Sequence, residues 1–399
     1  MPPVEEGRFS TEGSVHLDAL RGAAALVVVL GHTRSLYFSS VAAPQGQSAG
    51  SVLPQSVTRF DAAQPPVREK ITIGNEAVMI FFVLSGFLVG GSVLKAFRRS
   101  SWSWKDYMGK RLTRLWVVLI PALLLGCLID HAGMRLFAGA QSIYDAPAQQ
   151  LIVVGDPAER LGLGVFLGNT FFTQGILVQD FGVNESLWSL AYEFWYYLLF
   201  PLLGVALLTK SRLLPRLLAL IGFLGISYFV GPEVLKLFPV WIMGAGVAAL
   251  PLSLSGPAAK RLAMVAGGVL IVALPLMRRA PASIYLAEWG IAVLSAWLIY
   301  LIKHLDLKRK PDWYSAISGF FSRISYTLYL VHLPLAVFVC ALLNRPWHIW
   351  AKTGPNLSIW FAMNLGLIGA AYVFYLLFEA NTDAIRRVIL GRTERRIAG

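Results

Sequence analysis

Apolar runs of about 20 residues recur along the chain from position 17 to position 378, with no long polar interval between them. A helix of that length rises about 30 Å, which is the thickness of the hydrocarbon core of a bilayer. Of the 399 residues, 56% are hydrophobic and only 14% are charged. One soluble core cannot bury so much apolar side chain. The sequence therefore predicts an all-α, polytopic membrane protein and excludes an ordinary soluble domain.

Ten segments are long and apolar enough to span a membrane. They lie near residues 17–38, 72–94, 113–130, 186–208, 214–230, 235–250, 261–277, 282–302, 320–343 and 356–378. The first segment follows a mixed-charge stretch that lacks a short apolar run and cleavage site, so we predict a retained helix, not a signal peptide. The predicted organisation is a cytoplasmic segment over 1–16, a transmembrane domain over 17–378 and a basic cytoplasmic tail over 379–399.

The excess of basic residues predicts the orientation of the chain. Lys and Arg number 35 against 22 Asp and Glu, a net charge of +13. If both termini are cytoplasmic, basic residues favour the inner side by roughly two to one, which supports this orientation. The loop at 95–112 interleaves basic residues with Trp102, Trp104 and Tyr107, which predicts an interfacial helix on anionic headgroups. Binding to nucleic acid is the weaker alternative, and we do not predict it.

Two predicted external loops, 39–71 and 131–185, are too long to be plain connectors. Both are rich in Gly, Pro, Gln, Ser and Asp. Functional residues often lie on loops that a rigid scaffold positions. We therefore predict that these loops cover a substrate site on the outer face, with the chemistry in the membrane domain.

The stretch LDALRGAAALVVVLGH of the first apolar segment contains three polar residues, Asp18, Arg21 and His32. An ionisable residue in a membrane helix costs roughly 2.5–3.5 kcal/mol on insertion scales, so each is a functional candidate. Arg21 and His32 are eleven residues apart, about 20° past three full helical turns, and Asp18 lies on the same face. His32 lies about 16 Å further outward than Arg21. The alternative is an arginine that extends to the interface and a packed histidine.

The fourth segment carries Glu193 about 11 Å below the predicted outer surface. Ser189 precedes it by four residues, and Tyr196 and Tyr197 follow it by three and four. Residues at these spacings are neighbours on a helix surface. The segment therefore predicts a buried carboxylate that needs a partner and that has polar neighbours on the same helix surface.

The ninth segment places Ser325, Tyr329 and His332 at positions i, i+4 and i+7. His332 lies in the outer half, at a depth similar to that of His32 and Glu193. A general base that is oriented by a carboxylate and faces an external substrate would be built from such groups. A structural polar network is the alternative.

Neither cysteine belongs to a metal-binding pattern. Cys127 and Cys340 both fall inside apolar segments, and no CxxC or Cys/His spacing in the chain offers a metal site. We predict no metal site, no disulfide framework and no tightly bound cofactor. The second segment carries Ser85 beside Gly86, Gly90 and Gly91, which predicts close helix packing, and packing is favoured over catalysis for Ser85.

Four segments, in order and spacing, resemble the signature blocks of the membrane-bound acyltransferase family 3, bacterial O-acyltransferases of surface polysaccharides and related glycans. They read LDALRGAAALVVVLGH, FFVLSGFLV, LWSLAYEFWYYLLFPLL and ISYTLYLVHLPL. The resemblance spans nearly the whole chain and implies ten core helices in the bacterial cytoplasmic (inner) membrane. It implies transfer from cytoplasmic acyl-CoA, with acetyl-CoA favoured as co-substrate, to a hydroxyl of an exported or lipid-linked glycan.

The resemblance also implies roles for individual residues. The family's Arg-x10-His arrangement maps onto Arg21 and His32. His32 would be the general base or a transient acyl acceptor, and Glu193 and His332 would orient it or bind substrate. Arg21, with Asp18, would bind the CoA phosphates. The expected supporting residues are Ser85, Ser189, Tyr196, Tyr197 and Tyr329.

The chain departs from the family pattern at Met79 and Phe194, where members often carry acids, and at Glu379-Ala380-Asn381, where the family has Glu-x-Pro. These departures bear on the substrate more than on the family. The family that the chain resembles also includes members that acylate small molecules such as macrolides, and this is the enzymatic alternative. From a different class, a proton-coupled transporter would also use buried His and Glu, although the sequence shows no inverted repeat.

The predicted topology can be tested by cysteine labelling in a variant without Cys127 and Cys340. We expect a membrane-impermeant maleimide to label Ala148→Cys in intact cells, because 131–185 is predicted to be external. Arg392→Cys, in the predicted cytoplasmic tail, should react only after permeabilisation. Labelling of Arg392→Cys in intact cells would reverse the assignment.

Overall fold

A computed structural model describes residues 11–38, 73–139, 142–145, 153, 156–209, 212–251, 254–277, 284–305 and 312–394. Regular structure in these ranges is helical, and they contain no β-strand. The predicted external loop 39–71 lies outside the described residues, as does much of the first half of 131–185. The all-α prediction is confirmed for the part of the chain that the structure describes.

Twelve α-helices follow one another in the described ranges. They are α1 (Thr11–Phe38), α2 (Ile73–Ser85), α3 (Gly91–Arg98), α4 (Trp104–Leu136), α5 (Leu163–Thr170), α6 (Trp188–Leu207), α7 (Leu213–Ala249), α8 (Gly256–Met277), α9 (Ile284–Lys303), α10 (Asp312–Leu343), α11 (Gly354–Leu377) and α12 (Thr382–Glu394). A π-helical turn, Gly86–Gly90, joins α2 to α3. Among the described residues, nine helical stretches are long and apolar enough to cross a membrane, so the chain is a multi-pass membrane protein.

Helix α7 reverses direction at Gly231, which precedes Pro232. Gly231 has φ 77° and ψ 177°, a backbone conformation that favours glycine. The ring centroids of Phe223 and Phe238 lie 6.4 Å apart. Fifteen residues of straight helix would separate them by about 22 Å. Helix α7 is therefore two antiparallel apolar halves, which match the predicted fifth and sixth segments.

The predicted interfacial helix at 95–112 is wrong as a separate element. Helix α3 continues to Arg98, and α4 already begins at Trp104 and runs unbroken into the apolar segment. The Ser103 hydroxyl accepts a hydrogen bond from the Asp106 N–H at 3.3 Å and so caps α4. Charged residues do not end a helix that is capped and made of good helix formers. The predicted loop therefore mostly extends its two neighbouring helices.

The described residues form two compact units. The first comprises residues 11–28, 73–101 and 195–325, and the second comprises 29–38, 102–194 and 326–394, within the described ranges. Helices α1, α6 and α10 each contribute residues to both units. The two histidines predicted to be catalytic belong to the second unit.

In the first unit, α2 and its π-helical turn pack against the second half of α7 through glycines. A Cβ at Gly86 would collide with the carbonyl oxygen of Trp241, and a Cβ at Gly244 with that of Val83. A Cβ at Gly90 would overlap the Cβ of Ala245 and crowd the Trp241 ring. The backbones therefore approach as closely as small residues permit. The predicted packing role of the second-segment glycines is confirmed.

In the second unit, the segment between α10 and α11 covers the end of α1. The last carbonyl groups of a helix have no partner inside it. Trp347 donates its indole N–H to the Leu36 carbonyl at 3.1 Å. The main-chain N–H of Trp350 donates to the Tyr37 carbonyl at 2.7 Å. These bonds fix the end of the helix that carries His32.

A pair of glycine substitutions on α7 tests this packing. We expect Gly244→Ala to lower the melting temperature, because the new Cβ would meet the Val83 carbonyl at a distance that forces the helices apart. Gly246→Ala is the matched control, since nothing lies within 4 Å of a Cβ there. The control should be neutral or slightly stabilising, as Gly→Ala in a helix usually is. Equal melting temperatures for the two variants would contradict the close contact.

Candidate functional site

Two histidines from distant parts of the sequence meet in the second unit. The Nδ1 atom of His32, on α1, lies 2.9 Å from the Nε2 atom of His332, on α10. The rings are nearly parallel, with an interplanar angle of 7° and centroids 5.2 Å apart. His332 is fully buried, whereas His32 is half-buried. The sequence predicts that these two residues lie at similar depth in the membrane. In the structure they form a direct hydrogen bond.

The surroundings of His332 determine which nitrogen atoms carry hydrogen. Its Nδ1 atom lies 2.9 Å from the carbonyl oxygen of Tyr329 and 3.0 Å from that of Leu328. A carbonyl oxygen only accepts, so Nδ1 carries the hydrogen, and Nε2 of the neutral ring has a lone pair. That lone pair accepts the Nδ1–H of His32. With both rings neutral, Nε2 of His32 therefore keeps a lone pair of its own.

This arrangement can perform two kinds of chemistry. A lone pair on Nε2 of His32 can take a proton from a hydroxyl group, or it can attack an electrophilic carbon directly. His332 supports either role because it holds the His32 ring in one tautomer and orientation. The less buried of the two rings is the one with the available lone pair.

A hydrogen-bond network next to His32 fixes α1 to α11. The Thr33 hydroxyl accepts the indole N–H of Trp360 at 3.1 Å and lies 3.1 Å from the Asn364 side-chain oxygen. The Asn364 amide nitrogen donates to the Trp360 carbonyl at 2.8 Å. Thr33 and Asn364 are buried. Sequence reasoning missed this group, although an asparagine inside an apolar segment was a signal that could have found it.

Two of the predicted supporting residues, Ser189 and Tyr329, are in direct contact. The Tyr329 hydroxyl donates to the Ser186 carbonyl at 2.9 Å, and the Ser189 hydroxyl lies 2.6 Å from the Tyr329 oxygen. Since the Tyr329 hydrogen is used by the carbonyl, Ser189 donates to it. The Tyr329 ring lies 6.0 Å from the His332 ring. The start of α6 is thus linked to the turn of α10 that holds His332.

Glu193 occupies the next turn of α6 after Ser189, in the same unit as the histidine pair. Its carboxylate is half-buried and lies within electrostatic range of the hydroxyl groups of Tyr107 and Tyr329. The neighbouring Phe194, where the family pattern often has an acid, stacks on Phe172 with centroids 4.2 Å apart. An aromatic contact therefore takes the place of the family's second acid.

The described end of the predicted external loop is folded. We call residues 156–187 the cap loop. It contains α5, and Asn169 ties the two sides of the loop together: its amide nitrogen donates to the Gln179 carbonyl at 2.9 Å, and its oxygen accepts the Phe181 N–H at 3.2 Å. Arg160 forms an ion pair with Glu185 across the same loop.

The cap loop is also attached to α4 in the second unit. The Asp130 carboxylate accepts the N–H of Val183 at 3.0 Å. Gly182 has a positive φ of 57°, and a Cβ there would collide with the Asp130 carboxylate. The Trp116 indole donates to the Thr170 carbonyl at 2.9 Å. The cap loop is therefore an ordered part of the unit that holds the histidines.

The predicted donor-binding residues lie in the first unit. The Ser322 hydroxyl donates to Asp18 Oδ1 at 2.7 Å, which joins the first halves of α1 and α10. Arg21 is half-buried on the next turn of α1. Gly22 allows this close approach, because a Cβ there would overlap the Cβ of Phe321. Ser325 donates to the Ser322 carbonyl at 2.8 Å, a contact within its own helix.

The remaining predicted supporting residues take part in packing contacts of the first unit. Ser85 accepts the Trp241 indole N–H at 3.1 Å and lies 3.4 Å from the Tyr197 hydroxyl. The Tyr196 hydroxyl donates to the Val234 carbonyl at 2.6 Å. The packing role favoured for Ser85 agrees with these contacts. Within the described residues, no group of three His, Cys, Asp or Glu side chains is arranged to hold a metal ion.

Comparison with known proteins identifies one family. A family model described as an acyltransferase domain matches residues 15–376. An uncharacterized protein of Haemophilus influenzae is 31% identical over 140 residues, which cover 33% of this chain and 50% of that protein. The match thus spans half the length of that relative. No solved structure matches the chain.

The tautomers derived for the histidine pair can be measured by nitrogen NMR of ¹⁵N-histidine-labelled protein in lipid. At neutral pH we expect a protonated Nδ1 and an unprotonated Nε2 on both His32 and His332. His332→Gln, whose amide oxygen can still accept from His32, assigns the signals. A protonated Nε2 on neutral His32 would contradict the assignment.

Proposed function

Because the chain belongs to acyltransferase family 3 and is a membrane acyltransferase, we propose that it transfers an acyl group from cytoplasmic acyl-CoA to a glycan hydroxyl. The acceptor is an exported polysaccharide or a lipid-linked glycan, and acetyl-CoA is the favoured donor. The proposed location is the bacterial cytoplasmic membrane. No tightly bound cofactor is required, and nucleic acid is not a partner.

The observation that carries the proposal is the hydrogen-bonded histidine pair, whose geometry leaves a lone pair on Nε2 of His32. In direct transfer, Nε2 removes the proton of the acceptor hydroxyl as its oxygen attacks the thioester carbonyl carbon. A new C–O bond forms, and the carbon–sulfur bond breaks. The CoA thiolate leaves and takes the proton back from His32, so the free thiol and the ester are the only products.

A covalent route uses the same lone pair. Nε2 of His32 attacks the thioester carbonyl carbon, CoA leaves as thiolate, and an acylated imidazole forms. The Nδ1 proton of His32 then moves along the hydrogen bond to Nε2 of His332. The acceptor hydroxyl then attacks the acyl carbon, the ester is released, and His332 returns the shifted proton to Nδ1 of His32, which restores the starting pair. The hydroxyl proton passes to the CoA thiolate, so the ester and the free thiol are the only products. Isolation of acyl-enzyme without acceptor would distinguish this route from direct transfer.

The other candidate residues have proposed roles that agree with their chemistry. Arg21 binds the CoA phosphates through its guanidinium fork, and Asp18, which accepts from Ser322, supports that end of α1. Glu193 binds acceptor hydroxyl groups or orients the pair, together with the Tyr329 hydroxyl. Ser189 holds Tyr329 in place.

Two alternatives remain from the sequence. A small-molecule acceptor such as a macrolide would use the same histidine chemistry, and a panel of acceptors distinguishes it from a glycan. A proton-coupled transporter has no support from the family, since its members are acyltransferases. Covalent product formation by the purified protein is the direct test of the enzymatic function.

The test uses purified protein in nanodiscs with labelled acetyl-CoA and a glycan acceptor. We expect the wild type to form a base-labile ester, and His32→Ala to lose about 10²–10⁴ in rate with donor binding largely kept. Arg21→Lys should instead raise the KM for acetyl-CoA, because lysine keeps the charge but loses the bidentate geometry. Direct binding of acetyl-CoA to both variants is measured alongside.

The two variants serve as controls for each other, since both change one polar residue of α1. Near wild-type transfer by His32→Ala would rule out its proposed role. Impaired donor binding in both variants, with no other difference, would contradict the division of roles between Arg21 and His32. Absence of ester formation by the wild type with any acceptor would contradict the glycan proposal.

A further inference from the structure

Helix α10 contains a carbonyl group whose usual helical donor is missing. Pro334 lies inside α10. Proline has no main-chain N–H, so the carbonyl of Leu330, four residues earlier, loses its helical partner. Leu330 is completely buried. A buried carbonyl group without a partner costs free energy, so another donor must replace the missing one.

Asn184 of the cap loop supplies that donor. Its side-chain amide nitrogen lies 2.8 Å from the Leu330 carbonyl oxygen. Its side-chain oxygen accepts the Ser186 hydroxyl at 2.5 Å, which fixes the orientation of the amide. Asn184 is only 5% exposed. The end of the cap loop is therefore seated in the gap that proline leaves in α10.

The same helical turn holds His332. The carbonyl groups of Leu328 and Tyr329 accept the Nδ1–H of His332, and the carbonyl of Leu330 is the next along the chain. The Tyr329 hydroxyl in turn donates to the Ser186 carbonyl of the cap loop. The cap loop and the His332 imidazole thus use three consecutive carbonyl groups of one turn.

We propose that Asn184 is a positioning residue that orients His332 through the Leu330 carbonyl. The inference rests on the proposed function, in which His332 holds His32 as base or nucleophile. Loss of the Asn184 bond would release the Leu330 carbonyl, and the turn would relax toward some other donor. The carbonyl groups that fix the Nδ1–H of His332 would move with it.

Proline removal provides a rescue specific to the Leu330 carbonyl, which an asparagine that acts through other contacts would not show. In Pro334→Ala, the introduced main-chain N–H can donate to the Leu330 carbonyl within the helix. Asn184→Ala should therefore be costly in the native background and nearly neutral in the Pro334→Ala background. The expected loss of kcat for Asn184→Ala alone is about tenfold, with the KM for acetyl-CoA unchanged.

Asn169→Ala is the matched control. Asn169 is a buried asparagine of the same loop, and its amide bonds to Val165, Gln179 and Phe181, all within the cap loop. It should lower thermal stability without rescue by Pro334→Ala. A drop in kcat equal to that of Asn184→Ala would show that general loosening of the loop is responsible, and the proposal would be wrong.

The experiment measures kcat, KM, melting temperature and the His332 Nδ1 NMR signal for the wild type, both single variants and the double variant in nanodiscs. We expect the signal to shift in Asn184→Ala and to return in the double variant. An effect of Asn184→Ala that is the same in both backgrounds overturns the proposal. If the wild type forms no ester, the proposed function fails, while the NMR and melting cycles still decide whether Asn184 positions His332.

Discussion

The hydrogen bond from Nδ1 of His332 to the carbonyl groups of its own helix determines the chemistry of the candidate site. Because main-chain oxygens cannot donate, this bond places a hydrogen atom on Nδ1 of His332. It follows that Nε2 of His332 accepts and that Nδ1 of His32 donates. The result is a directed chain from the α10 backbone through His332 to the Nε2 lone pair of His32. A carboxylate partner for His332 is not needed to define its tautomer.

Polar groups inside a membrane helix need protein partners, because no water is available there to form hydrogen bonds with them. In the second unit, these partners come from elements that are far apart in the sequence. Thr33 is held by Trp360 and Asn364 of α11. The carbonyl that Pro334 leaves open is held by Asn184 of the cap loop. The helices that carry the histidines are therefore fixed by bonds beside each ring.

The sequence was sufficient to predict the long apolar helices and the candidate residues His32 and His332, since apolar length and the cost of buried charge are local properties. It placed His32 and His332 at one depth but could not identify their mutual bond. The reversal at Gly231 was predicted as a boundary between two segments. Asn184 was missed because its role depends on a carbonyl group 146 positions away in the sequence. Helix ends such as Trp104 were also missed, since capping by Ser103 outweighs the charges around it.

In either of the proposed acyl-transfer routes, the histidine pair constrains where a proton can go. When Nε2 of His32 gains a proton or an acyl group, its ring becomes positively charged, and the Nδ1–H bond to His332 strengthens. If that hydrogen crosses to Nε2 of His332, the charge moves to a ring whose Nδ1–H already faces two carbonyl oxygens. Those dipoles stabilise the cation without a buried carboxylate, whose own desolvation would cost several kcal/mol. Backbone carbonyl groups thus provide fixed, neutral stabilisation at the point where charge develops, which is the condition for electrostatic preorganisation.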